Sequence, residues 1–199
     1  MANSPSLISL ILFFIFFLFA FSQSLPLSTS GRWIIDARTG DRVKLSCVNL
    51  VLHAQSMVAQ GLDISPLKEM ASEITSRQFN CVRLTWSVNM FTRYTYETIG
   101  DILDGLDIAD VKSGVEKHNP KILKMTVTKV FQTVINCLGS EGIMVILDNH
   151  ISQSRWCCSL DDGNGFFRDR NFNPNEWLQG LSFVAVQFTC NPYVSFMHF

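Results

Sequence analysis

The sequence predicts an α/β fold built on a parallel sheet, and three observations predict it. Apolar runs with strand character alternate with amphipathic helical runs, in the order β, α, β, α, β, α. The strand runs are apolar on both faces, as strands covered on both sides are. Two of them, Asn80 to Trp86 and Ile143 to His150, turn polar at their C-terminal ends, where parallel α/β proteins assemble sites. This pattern alone fits a half-barrel or an open doubly wound sheet. No G-x-G-x-x-G follows any strand, so dinucleotide binding loses support.

The first element is excluded from the fold. Leu7 to Phe21 is an unbroken apolar run apart from Ser9, with small residues at Ala20 and Ser22. Residues 1–22 are therefore expected to be a secretory signal peptide, with Gln23 as the first mature residue. An uncleaved anchor is the alternative, although a span wants about twenty apolar residues. The remaining residues, 23–199, suffice for one domain with a core. They are too few for a complete (β/α)8 barrel, which takes about 250. The chain has 199 residues and a net charge of −1, which argues against a nucleic-acid partner.

Trp33 to Asp36, the turn Thr39-Gly40-Asp41 and the run from Arg42 predict a short hairpin leading into a first core strand that ends near Leu50. A first helix is predicted over 65–78, with Ser65 as cap, Pro66 in the first turn and Leu67, Met70, Ala71 and Ile74 on one face. The second strand is Asn80 to Trp86. A long connection follows, with small helices expected around Ile99 to Leu106. The second helix is predicted over 122–138 and stopped by Gly139. The third strand is Ile143 to Asn149, followed by a loop bearing Gly and Trp. Asn173-Pro174 opens the third helix, which runs to about Phe188. The tail from Tyr193 to Phe199 is a fourth strand or a divergent end.

Six cysteines would enter an oxidising compartment with a secreted chain. No C-x-x-C is present and no His is spaced to complete one, so no zinc-type motif and no metal site are expected. Buried free thiols, among them Cys47 and Cys81 inside strands, plus one loop disulfide are favoured over a full disulfide framework. No cofactor is expected, and no N-glycosylation sequon is present.

Side chains alternate along a strand, so Arg83 shares a face with Cys81 and Thr85, and His150 shares one with Asp148 and Ile146. An Arg83–Asp148 pair on neighbouring strands would strand no buried charge. His150, beyond it, could hydrogen-bond a ligand hydroxyl; the bland alternative is a structural ion pair with a satisfied histidine. His53 lies just past the first core strand and either joins this rim or is solvated. Trp86 and Trp156 could stack on the apolar faces of sugars or pack in the core.

Several of these segments resemble secreted plant proteins of glycoside hydrolase family 5, the cellulase family. They are the Val43 to Asn49 run, the Asn80 to Trp86 strand, and Met144 to His150 followed by Trp156 to Ser159 and Asp161 to Phe167. Phe172, Pro174 and Trp177 at the next helix complete the set, and the likeness covers about residues 31–188. The resemblance implies an incomplete TIM (β/α)8 barrel of about the first three to four βα units, carrying a short N-terminal hairpin. It also implies a retaining glycosidase acting on O-glycosyl bonds of polysaccharide. Residues matching the family's sugar-binding rim are Arg83, His150 and, on a looser match, His53, joined by Asn149, Trp86 and Trp156 as candidate substrate-binding residues.

Members use two glutamates: an acid/base in an Asn-Glu pair after the fourth strand and a nucleophile at the end of the seventh. This sequence departs from the pattern after the third helix. Its Asn175-Glu176 pair falls in the first turn of that helix and is expected to be solvated, and the tail 189–199 is divergent. The expectation is therefore a secreted, extracellular or cell-wall protein that is a truncated family member, from an incomplete gene model or alternative termination. Such a chain lacks catalytic residues and turnover, and its partner is a polysaccharide or oligosaccharide, with no stable membrane association. The alternative is a non-catalytic secreted carbohydrate-binding or decoy protein.

Overall fold

The computed structural model describes residues 27–157, 159 and 161–198. The signal-peptide expectation for 1–22 lies outside these residues. No helix among the described residues is long and apolar enough to cross a membrane.

The chain begins with an antiparallel pair, β1 (Leu27–Ser30) and β2 (Trp33–Asp36), joined through Gly31 at φ +57°. The hairpin thus closes backward onto residues not assigned to a strand from sequence. The expected forward pairing survives as one bridge, Ile35 to Arg42, with Val43 N–H donating to the Ile34 carbonyl. It goes no further because Asp36 turns the chain, accepting from the Arg38 N–H at 2.8 Å through its carboxylate.

The main sheet is parallel, in the order β3 (Cys47–Val51), β4 (Cys81–Ser87), β5 (Met144–Ile151), β6 (Val194–His198). The tail is therefore a fourth strand, paired with β5. Sequence-consecutive strands lie side by side, the arrangement that short right-handed crossovers favour.

Between strands lie α1 (Leu67–Ser76), the short α2 (Val88–Thr92), α3 (Ile99–Gly105), α4 (Ala109–His118), a 3-10 turn (Pro120–Lys124), α5 (Val127–Ser140) and α6 (Pro174–Phe188). Ser65 does not cap α1. Its hydroxyl turns to Glu69, and the Leu67 N–H is received by the Asn119 side chain at 2.9 Å. The second predicted helix divides at Met125, and Thr126 caps α5 by accepting from the Lys129 N–H. Asn173 caps α6 as expected, accepting from the Asn175 and Glu176 N–H groups.

The core lies between the sheet and the helices. Leu84 and Trp86 of β4, Phe131 and Leu138 of α5, and Phe188 of α6 are almost wholly buried. Full burial of each such side chain stabilises by roughly 1.5–3 kcal/mol. Phe91 sits among Trp86, Phe131, Phe183 and Phe188 with ring centroids 5.2–6.2 Å away.

Three further expectations are corrected. Cys47 and Cys81 are not free thiols: they stand opposite each other in the β3–β4 register with Cα atoms 4.3 Å apart, and they form a disulfide. Among the described residues the free thiols are Cys137, half-buried, and Cys190, exposed. Glu176 is not solvated either. It receives two hydrogen bonds of 2.7 Å from Arg93 and one of 2.8 Å from Thr92, tying α6 to α2.

Gly139 does not stop α5, which continues to Ser140 before Gly142 turns left-handed at φ +78°. Gly139 serves packing instead, because a Cβ there would fall inside the Tyr193 ring that precedes β6. Gly139→Ala is expected to destabilise by about 1–3 kcal/mol through overpacking, despite alanine's better helix propensity. Urea denaturation of the two proteins measures it.

Candidate functional site

Register brings the polar strand ends together. Thr85 of β4 lies opposite Asp148 of β5, and Val51 of β3 lies opposite Thr85. Alternation then places Arg83, Thr85, Asp148 and His150 on one face near the C-terminal edge. Trp86, one residue out of phase, goes to the other face.

Asp148 is the centre of the cluster, with its side chain 1% exposed. Arg83 Nη2 approaches its Oδ2 at 2.9 Å, and His150 Nδ1 approaches the same oxygen at 2.9 Å. Burial pushes the Asp148 carboxyl up, and the His150 hydrogen bond and the Arg83 charge outweigh it, leaving the group below its ordinary value. Arg83 Nη2 also lies 3.4 Å from His150 Nδ1, but that nitrogen gives its proton to the carboxylate, so this is proximity only.

His53 joins from the end of β3, 3% exposed, its ring centroid 4.5 Å from that of His150. Its Nδ1 is 2.7 Å from Thr85 Oγ1, which also accepts from the Leu52 N–H and donates to the Leu50 carbonyl. Its Nε2 is 3.6 Å from Cys157 Sγ, and Cys157 is itself disulfide-bonded. Burial, with the nearby His150 and Arg83 adding to it, brings the His53 pKa down to about 4.

The structure sorts the remaining candidates. Asn149 is half-buried, and its Oδ1 accepts from Trp177 Nε1 at 2.9 Å. Trp156 is 73% exposed and borders a cavity of about 250 Å³ with Val58 and Val111. Trp86 is a correction: it is fully buried against Phe91 and has no face to offer a ligand. A second cavity of about 240 Å³ runs from Asn149 and His150 to Phe166, Phe167, Phe172 and Trp177.

Sequence reasoning missed the loop framework that builds this cavity. Asn164, fully buried, receives the Gln153 N–H on its Oδ1 and donates its amide to the Gln153 carbonyl. Asn89 Oδ1 receives the Ser154 N–H and the Ser87 hydroxyl, each at 2.9 Å. The Asn89–Ser154 bond joins distant segments and the Asn164–Gln153 pair spans the loop, and only the G-N-G spacing around Asn164 hinted at a shaped loop. Local spacing also predicted no metal motif, yet the fold gathers His53, His150 and Cys157 with one ligand atom each within 4.8 Å of the others.

A parallel α/β sheet with a charged rim at its C-terminal edge is the class that these features define, and the fold matches cellulase catalytic domains. The catalytic domain of the major endoglucanase from Xanthomonas campestris pv. campestris superposes with a TM-score of 0.65 at 23% identity, over 84% of this chain and 43% of that one. A Pyrococcus horikoshii endocellulase, solved in complex with cellotetraose, gives 0.65 at 18%, over 87% and 42%.

In sequence the chain is related to glycoside hydrolase family 5. It is 47% identical over 175 residues to a glycosyl hydrolase 5 family protein of Chamaecyparis obtusa, which covers 87% of this chain. The chain spans about a third of that relative's length, 32%. No family model matches.

Two outcomes test this geometry. Arg83→Ala removes the guanidinium that pairs with the buried Asp148 carboxylate and is expected to cost about 3 kcal/mol or more, read by denaturant unfolding, with Arg83→Lys costing less. His53 has a lowered pKa, so its proton is taken up preferentially by the unfolded chain. Stability from this group is full above about pH 6.5 and falls as the pH drops towards about 4. His53→Gln should flatten that part of the stability–pH curve.

Proposed function

We propose that this chain supplies the sugar-positioning strands of a retaining glycosidase site of the glycoside hydrolase family 5 type, the first three to four βα units of a (β/α)8 barrel. The substrate class is a β-linked polysaccharide, a cell-wall glucan or mannan. The observation that carries the proposal is the Arg83–Asp148–His150 cluster at the C-terminal edge of a parallel sheet. In this arrangement Asp148 holds the arginine and the imidazole, and these two meet the sugar hydroxyls and a carboxylate brought by later strands.

The 199-residue polypeptide by itself is expected to be inactive. Retaining hydrolysis needs two carboxylates about 5–5.5 Å apart, one of them protonated before the leaving group departs. Among the described residues the rim cluster holds one carboxylate, Asp148, which is ionised and already paired with Arg83 and His150. Its lowered pKa is the wrong sense for a general acid, which must keep its proton near neutral pH. Glu176, the one glutamate that follows an asparagine, is held by Arg93 on the helical layer. Secretion through 1–22, placing the protein outside the cell or in the wall, belongs to the same proposal. A mature N-terminus at Gln23 is its check.

Exposed Trp156, Phe166 and Phe167 favour a second reading, a secreted carbohydrate-binding protein without turnover. One pair of measurements tests both. Purified polypeptide is assayed on an aryl β-glycoside, and it is titrated with cellotetraose while tryptophan fluorescence is followed. The expected result is no turnover above buffer. Turnover abolished by Arg83→Ala would overturn the inactivity. A saturable fluorescence change that Trp156→Ala removes supports the binding protein, and a flat titration dismisses it.

A further inference from the structure

We propose that reduction of the disulfide at Cys157 opens a divalent-metal site, suited to Zn(II), with His53, His150 and Cys157 as its ligands. The proposal goes beyond the glycosidase reading and does not require it.

Geometry is the first support. Zinc bonds of about 2.0–2.1 Å to nitrogen and 2.3 Å to sulfur, at a tetrahedral angle, put the two donor atoms about 3.5–3.6 Å apart. His53 Nε2 and Cys157 Sγ stand 3.6 Å apart, and the third donor, from His150, lies within 4.8 Å of both. Two imidazoles and a thiolate leave one position of the tetrahedron for water.

The surrounding groups are the second, independent support. Metal-binding histidines give their other ring proton to a fixed acceptor, which orients the ring and makes the remaining nitrogen basic. Both rings here are held in that way. His150 Nδ1 donates to the Asp148 carboxylate at 2.9 Å. His53 Nδ1 donates to Thr85 Oγ1 at 2.7 Å, and the Thr85 proton goes on to the Leu50 carbonyl. That direction satisfies every group in the chain and sets Nε2 of His53, the atom facing the sulfur, as the lone-pair nitrogen.

The chemistry balances with a reductant of the small-molecule thiol or phosphine class. Two thiols become one disulfide while two electrons and two protons convert the protein disulfide to two cysteine thiols. A phosphine delivers the same two electrons and takes its oxide oxygen from water. Cys157 then releases its proton to solvent as its sulfur binds the metal. In the oxidised protein that sulfur is covalently occupied, so metal affinity follows redox state.

Cobalt(II) is the probe, because thiolate ligation gives it a sulfur-to-metal charge-transfer absorption. The full chain is titrated with Co(II), with and without a water-soluble phosphine. The expected result is one equivalent bound with the charge-transfer band in the reduced protein, displaced by Zn(II), and at least roughly tenfold weaker binding without reductant. Cys157→Ser should remove the band. Cys137→Ser with Cys190→Ser, and separately Cys47→Ala with Cys81→Ala, should keep it. His53→Gln and His150→Gln should each weaken binding by more than the roughly 10- to 100-fold that loss of an outer partner of a ligand costs. A reduced wild-type chain that binds no stoichiometric cobalt, or a band that persists in Cys157→Ser, overturns the proposal. The decisive reading is on the wild-type protein, so a variant that fails to fold does not rescue it. Sugar binding and turnover enter neither arm, so the glycosidase reading stands or falls separately.

Discussion

A carboxylate with 1% of its side chain exposed has to be answered by donors from within the protein, and Asp148 draws its answer from two directions. Arg83 reaches it from the neighbouring strand and His150 from two residues further along its own. The Arg83 contact exists only because β4 and β5 run parallel in one register, and the His150 contact follows from alternation along β5 itself. A slip of one residue would send Arg83 into the aromatic layer and Trp86 to the rim. The polar rim and the apolar core are therefore two faces of the same pairing, and neither is set without the other.

The same pairing explains why the rim is well defined at the edge of a small domain. His53 is brought to His150 by Thr85, which stands between the β3 end and β5 and has all its hydrogen-bonding capacity used. Asn89 and Asn164 do for the long loop what Thr85 does for the strands: a buried side-chain amide replaces the backbone partners that a loop lacks. Much of the order at the rim thus comes from polar groups whose partners lie outside their own strand or turn.

That distinction decides what could be read from the sequence. Strand and helix periodicity is local, and it placed β4, β5, α6 and the face shared by Arg83, Asp148 and His150. The position of Asn173 before Pro174 is likewise a local signal, and the cap is where it pointed. Trp86 was ambiguous, because a terminal strand residue faces the rim or the core according to parity, and Phe91 and its aromatic neighbours claim it. Cys47 and Cys81 looked like buried thiols because only the register shows them opposite one another. Glu176 looked solvated because Arg93, its partner, sits at the C-terminal cap of a helix far back in the chain. The hairpin was assigned to the wrong side of Trp33 because β1 is a polar run with no strand signature of its own.

Tyr193 holds β6 at two levels. Its carbonyl accepts from the Val145 N–H at 3.0 Å, and its ring fills the notch over Gly139. Strand alignment at this edge is therefore keyed by one ring in one recess and not by the length of the connection that delivers it. Residues 189–192 are in consequence the stretch of this fold most open to change: insertions there lengthen a loop at small entropic cost while the ring still finds its recess. An ancestor could vary the distance between the α6 layer and the next strand without resetting the sheet, which gives a barrel-type fold room to diversify at a seam that stays in alignment.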